Sequence, residues 1–117
     1  ELLGDRCAEW NKLENVAILG NGDTSVIDGA GSRWWKYCPK MWAPPGGHTG
    51  PCPDDCNRDT QRPKLIHMMF VEGLSLQNFT AQNSAFWTIV PQYSKHVHVK
   101  GLRIRAPAHS HNTDGVD

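Results

Sequence analysis

Leu74-Ser75-Leu76-Gln77-Asn78-Phe79-Thr80-Ala81 and Val97-His98-Val99-Lys100-Gly101-Leu102-Arg103-Ile104 are the stretches that decide how this 117-residue chain folds. Leu74, Leu76, Asn78, Phe79 and Ala81 match Val97, Val99, Gly101, Leu102 and Ile104, and every pair is 23 residues apart. Ile66 and Ile89, each opening another short apolar stretch, share that spacing. A short period built of strand-length segments is the pattern of a solenoid coil. No helix fits inside the repeat, so each coil must be strand and turn only, which makes the fold class all-β and the architecture a parallel β-helix. Coils of about 22–24 residues are expected, stacked about 4.8 Å apart. Inward positions Val97, Val99, Leu102 and Ile104 then form apolar ladders. His96, His98, Lys100, Arg103 and Arg105 face solvent.

Outward from the repeat, the same kind of run recurs as Val16-Ala17-Ile18-Leu19, Val26-Ile27 and Leu65-Ile66, each bounded by Gly, Asn, Asp, Ser or Pro as strands are. Residues 36–63 interrupt the pattern. They carry Pro39, Pro44, Pro45, Gly46, Gly47, Gly50, Pro51 and Pro53, and read as a long surface excursion. Residues 1–117 therefore read as part of one domain, with the excursion projecting from it.

Lys and Arg number 12, as do Asp and Glu, so the formal net charge is zero. No Lys/Arg-rich run exists, which argues against a nucleic-acid partner or a polybasic membrane surface. No apolar run approaches the roughly 20 residues needed to span a bilayer. Glu1-Leu2-Leu3-Gly4-Asp5-Arg6 has neither a basic start nor a long apolar stretch, which is compatible with secretion if the N-terminus has been trimmed. Cys7, Cys38, Cys52 and Cys56 give an even count around a Pro/Gly-rich loop, as in chains that form disulfides in an oxidising compartment. At least one bridge is expected within Cys38, Cys52 and Cys56, with Cys52–Cys56 and Cys38–Cys56 the leading pairings. The rival is a zinc site of Cys38, His48, Cys52 and Cys56, but its spacing fits no standard zinc module. The sequon Asn78-Phe79-Thr80 agrees with secretion.

The chemistry-bearing segment is Asn112-Thr113-Asp114-Gly115-Val116-Asp117. Alone it reads as a turn, or as clustered oxygen ligands for calcium. Its context changes that reading. Gly20-Asn21-Gly22 followed by Ile27-Asp28-Gly29-Ala30-Gly31-Ser32-Arg33-Trp34-Trp35, then Arg62-Pro63-Lys64-Leu65-Ile66, then Phe86-Trp87-Thr88-Ile89, and finally the Asn112–Asp117 segment resemble, in order, the successive blocks of the polygalacturonase family, glycoside hydrolase family 28. Together they cover most of residues 14–117.

The resemblance implies a right-handed parallel β-helix with a cleft along one face, and hydrolysis of α-1,4 bonds of galacturonan with inversion. By resemblance Asp114 is a water-activating carboxylate, Asn112 points into the same cleft, Thr113 faces the core and Asp117 ties the next turn. His109 and His111, close to Asp114 in sequence, are candidate substrate-binding residues. The family's later D-D pair, H-G pair and R-x-K triplet do not follow the motif here, so the chain is expected to be an N-terminal portion, inactive by itself. The family often has a histidine after the Trp-x-Ile strand and a cysteine a few residues on; here Val90 and Ser94 stand there. A 24-residue coil would stack Val90 under Asp114.

No cofactor or metal is expected. His96-x-His98 reads as a solvated strand edge, Arg103 and Arg105 as a solvated face or a contact for an anionic substrate, and Trp34-Trp35 as buried. The partner is a pectic polysaccharide, the location extracellular and the full-length state monomeric. The competing functions are a non-catalytic carbohydrate-binding β-helix and a calcium-dependent pectate lyase, which would need a carboxylate cluster and a basic arginine.

Overall fold

The computed structural model describes residues 13–35, 62–110 and 112–117. The expected strands form as β1 (Leu13–Leu19), β2 (Val26–Asp28), β3 (Ile66–Met69), β4 (Val71–Gln77), β5 (Thr80–Gln82), β6 (Ile89–Gln92), β7 (Lys95–Lys100) and β8 (Arg103–Arg105), with one short helix, α1 (Ser32–Trp35). They assemble into three sheets, β1-β4-β7, β2-β5-β8 and β3-β6. Every pairing is parallel. The chain thus passes through the third, first and second sheets in turn and returns one layer on. This is a parallel β-helix, right-handed as parallel crossovers are.

The register is the one the repeat predicts. Leu74 pairs with Val97 and Leu76 with Val99, Ala81 with Ile104, and Ile66 with Ile89. The preceding coil continues the ladders: Val16 lies on Leu74, Ile18 on Leu76 and Ile27 on Ala81. Its corner is longer, running from Leu19 to Val26 where the next coil runs from Gln77 to Thr80. A 3-10 turn at Gly22–Thr24 takes up the extra residues. The four cysteines and residues 36–61 of the expected excursion lie outside the described residues.

Parallel in-register stacking puts like on like inside the tube. Leu76 and Ala81 are 0 % exposed, and Val71, Leu74 and Ile89 are 1 % exposed. Ile66 and Phe79 complete this core, with Val16, Ile18, Ile27, Leu102 and Ile104 packed against it. Val97 and Val99 point inward but are partly exposed, because β7 has a strand neighbour on one side only.

Two backbone features explain residue choices. Asn15, Gly73 and His96 all have positive φ (55°, 81° and 53°) and stand in one column of the first sheet, so a left-handed kink repeats in three successive strands. The second feature is a close approach. The Gly31 N–H donates to the Asn83 carbonyl at 2.8 Å, and a Cβ on Gly31 would lie 2.4 Å from the Ser84 carbonyl oxygen. Only glycine lets the turn after β2 seat on the turn after β5.

Asp28 fastens the same contact. Its carboxylate accepts from the Ala30 N–H (2.8 Å), Gln82 Nε2 (2.7 Å) and Asn83 Nδ2 (3.0 Å). These bonds, the Ala30 N–H first, hold the Asp28 pKa below its ordinary value of 3.8. A carboxyl whose folded pKa is depressed contributes stability above its unfolded pKa and loses it as pH falls through the folded one. The wild type is therefore expected to melt above Asp28→Asn at neutral pH, with the gap closing below pH 3.8. Thermal unfolding of both proteins at neutral and acidic pH measures it; a gap independent of pH would contradict the assignment.

Candidate active site

The third sheet carries the Asn112–Asp117 segment. Asn112 has φ 50°, a left-handed conformation that asparagine tolerates, and it turns the chain toward β6. The segment is then fastened to the coil beneath it by backbone bonds. Thr88 N–H donates to the Asp114 carbonyl at 2.9 Å, Ile89 N–H to the Gly115 carbonyl at 3.1 Å, and Asp117 N–H to the Ile89 carbonyl at 3.0 Å. Val116 forms a parallel bridge with Ile89.

This register corrects the expectation for Val90. Ile66 to Ile89 spans 23 residues but Ile89 to Val116 spans 27, so the last coil is longer than the 24 assumed. The added residues lie in the turn after β8. Val90, buried at 6 %, therefore lies beneath Asp117, and the residue beneath Asp114 is Trp87. Trp87 in turn lies next to Lys64, whose Nζ sits 5.2 Å from the indole centroid. Lysine, tryptophan and aspartate thus occupy one row across three coils. The Phe86 ring stacks on Trp87 at 4.7 Å, and the Arg62 guanidinium lies 4.6 Å from the Phe86 centroid.

A line of hydroxyls supports the segment from below. Ser84 Oγ and Thr88 Oγ1, both in residues 1 % exposed, are 3.0 Å apart. Thr88 Oγ1 donates to the Thr113 carbonyl at 3.4 Å. Thr113 Oγ1 and Ser110 Oγ are 2.8 Å apart, and Ser110 Oγ also lies 2.6 Å from the Pro107 carbonyl. Thr88 therefore holds the segment with both its N–H and its hydroxyl. Thr88→Val is expected to cost about 1–3 kcal/mol, because Ser84 loses a buried partner, while Thr88→Ser costs less. Denaturant unfolding of the full-length variants measures the difference; equal losses for Val and Ser would refute the hydroxyl's part.

The Asp114 side chain is exposed and the Asn112 side chain half-buried. Burial first, then the Asp114 charge, raises the Asp117 pKa above its ordinary value of 3.8. An exposed carboxylate on a segment whose backbone is bonded to the coil beneath is an arrangement able to hold water and take its proton. His109 lies on the turn before the segment, exposed, with its ring edge-on to Trp35 at 5.7 Å. Trp35 is buried and donates from Nε1 to the Ser84 carbonyl at 3.1 Å, whereas Trp34 is 38 % exposed rather than buried. His111 lies outside the described residues. Among the described residues no group of three or more His, Cys, Asp or Glu is gathered for a metal ion, and no helix is long and apolar enough to cross a membrane.

Sequence reasoning passed over Trp87, Thr88 and Lys64. Their signal was present: each lies one 23-residue step along the ladder that links the Arg62–Ile66 and Phe86–Ile89 blocks.

Comparison with known proteins agrees with this architecture. The profile of Glycosyl hydrolases family 28 matches residues 4–117. A probable polygalacturonase of Vitis vinifera is 32 % identical over 86 % of this chain and 17 % of its own length. Polygalacturonases of Juniperus ashei and Cryptomeria japonica are 34 % and 35 % identical, over 91 % and 93 % of this chain and 18 % and 19 % of their own. The chain thus spans under a fifth of the length of these relatives. No solved structure matches it.

Proposed function

This chain belongs to Glycosyl hydrolases family 28, and on that premise we propose that the full-length protein hydrolyses the α-1,4 bonds of galacturonan with inversion at the anomeric carbon. The observation that carries this reading is the seating of Asp114: an exposed carboxylate at the mouth of the third sheet, with its backbone bonded to Thr88 and its neighbours Gly115 and Asp117 bonded to Ile89. Inverting hydrolysis needs a carboxylate that activates water on one face of the sugar and an acid that protonates the leaving oxygen on the other. Asp114 is the water-activating group. Asn112 orients it or the sugar, and His109 and His111 bind substrate. Asp117 fixes the segment through its backbone. The acid comes from a part of the protein beyond residues 1–117, so this portion alone is inactive.

The substrate is a pectic polysaccharide of the cell wall, and the protein acts outside the cell as a monomer. It has no nucleic-acid or membrane partner and no metal or cofactor. In that oxidising setting a disulfide forms within Cys38, Cys52 and Cys56.

The test is hydrolysis of de-esterified pectin by the full-length protein, followed by reducing-end release and by NMR of the first-formed anomer. Inverted product supports the proposal. Retained configuration, or an unsaturated product from elimination, would overturn it.

A further inference from the structure

The zero net charge of the chain conceals a segregation. All Asp and Glu residues lie outside residues 73–113, a stretch that contains Lys95, Lys100, Arg103 and Arg105. The fold gathers these four on one coil. Lys95 and Lys100 stand on β7 with the exposed His96 and His98, and Arg103 and Arg105 on β8, around the corner at Gly101. All of them are exposed. On the coil beneath, Lys100 faces Gln77, and Arg103 and Arg105 face Thr80 and Gln82. Two acidic groups reach the row: Glu72, paired in register with Lys95 and 4.0 Å from His96, and Asp23, which forms an ion pair with Arg103. Lys100 and Arg105 form no ion pair among the described residues. The row runs across the first and second sheets, whereas Asp114 belongs to the third.

We propose that this basic row is a second, non-catalytic docking surface for the acidic polysaccharide, lying along the coil on the flank of the tube away from the hydrolytic cleft. Charge complementarity chooses the occupant. Arg103 and Arg105, two residues apart on β8, stand about 6.6 Å apart, and Lys95 and Lys100 carry the cations on along β7, so the coil presents four positive charges to a chain that carries a carboxylate on every sugar. A single exposed ion pair contributes little by itself. Several engaged by one polymer add through effective concentration. The row therefore discriminates by length: a polymer long enough to reach it while occupying the cleft is held, and a short oligomer is not. In a stacked tube the flanks stay open, because coils before and after cover only the edges of the sheets. The inference rests on the proposed substrate class, since the polyanion that meets the cleft is the one that meets the row.

The test uses the full-length protein. Asp114→Asn, expected to slow turnover enough to measure binding, is compared with Asp114→Asn carrying Lys100→Glu and Arg105→Glu for retention on immobilised polygalacturonate. Charge reversal is expected to weaken retention about tenfold or more at low salt, with the difference shrinking as salt rises. With Asp114 intact, Lys100→Glu/Arg105→Glu is expected to hydrolyse short galacturonate oligomers at the parent rate. Lys100 and Arg105 are exposed, so exchanging them leaves the core packing untouched and both proteins fold. Unchanged retention would overturn the docking surface even if hydrolysis is normal. Equal retention of the parent on a sulfated polymer or on nucleic acid would also overturn it, by showing an unselective cation patch. If the parent fails to cleave oligomers yet retention falls on charge reversal, the hydrolytic reading fails and the surface stands.

Discussion

Asp114→Asn in the full-length protein is expected to lower kcat on de-esterified pectin by about 100- to 10,000-fold, the range of a lost general base. The amide keeps the size of the side chain and much of its hydrogen bonding, but it cannot accept a proton from water. KM is expected to change little, because the loss falls on a step that only the transition state feels. The fold is expected to survive. The segment is held through backbone groups of Asp114, Gly115 and Asp117, none of which the substitution touches, and the Asp114 side chain is exposed. Steady-state kinetics with a thermal melt of the same sample separates the two effects. A variant retaining near-normal turnover would move the general base elsewhere, and pectin hydrolysis by residues 1–117 alone would place the acid within this portion.

Leu76→Ala is expected to have the largest effect on stability, about 2–5 kcal/mol. Leu76 is 0 % exposed and stands in a ladder between Ile18 and Val99. A cavity there removes contacts on both sides, and the coils above and below cannot close over it without breaking the parallel hydrogen bonds that set their separation. In a solenoid each coil leans only on its neighbours, so the loss is transmitted to both interfaces. Denaturant unfolding of full-length wild type and variant, compared at equal m-value, gives the number. A loss below about 0.5 kcal/mol, the usual range for a surface site, would mean that this ladder is not the core of the intact protein.

Stacked strands expose their own period, and that is why much of the fold was legible. Leu74 over Val97 and Ala81 over Ile104 are apolar because each must face the same interior, and the chain returns to each after 23 residues. Inward and outward positions followed from the same alternation. The Asn112–Asp117 segment drew attention for another reason: it stands in sequence order after the blocks that resemble the family.

The all-β solenoid and its inward ladders could be read from the residues alone, since side-chain character repeats wherever the environment repeats. Tertiary structure alone decided the register of the last coil. The turn after β8 is irregular and carries no apolar pair to mark its length, so a 27-residue return was invisible until Val116 was seen bridged to Ile89. That register, not the sequence, put Trp87 under Asp114 and Val90 under Asp117. The left-handed column was hidden likewise, because Asn15, Gly73 and His96 share a backbone angle but no side-chain chemistry. The acid-free stretch 73–113 was visible in the sequence, but only the stacking of coils showed that its four cations share one exposed coil and which of them Asp23 and Glu72 reach.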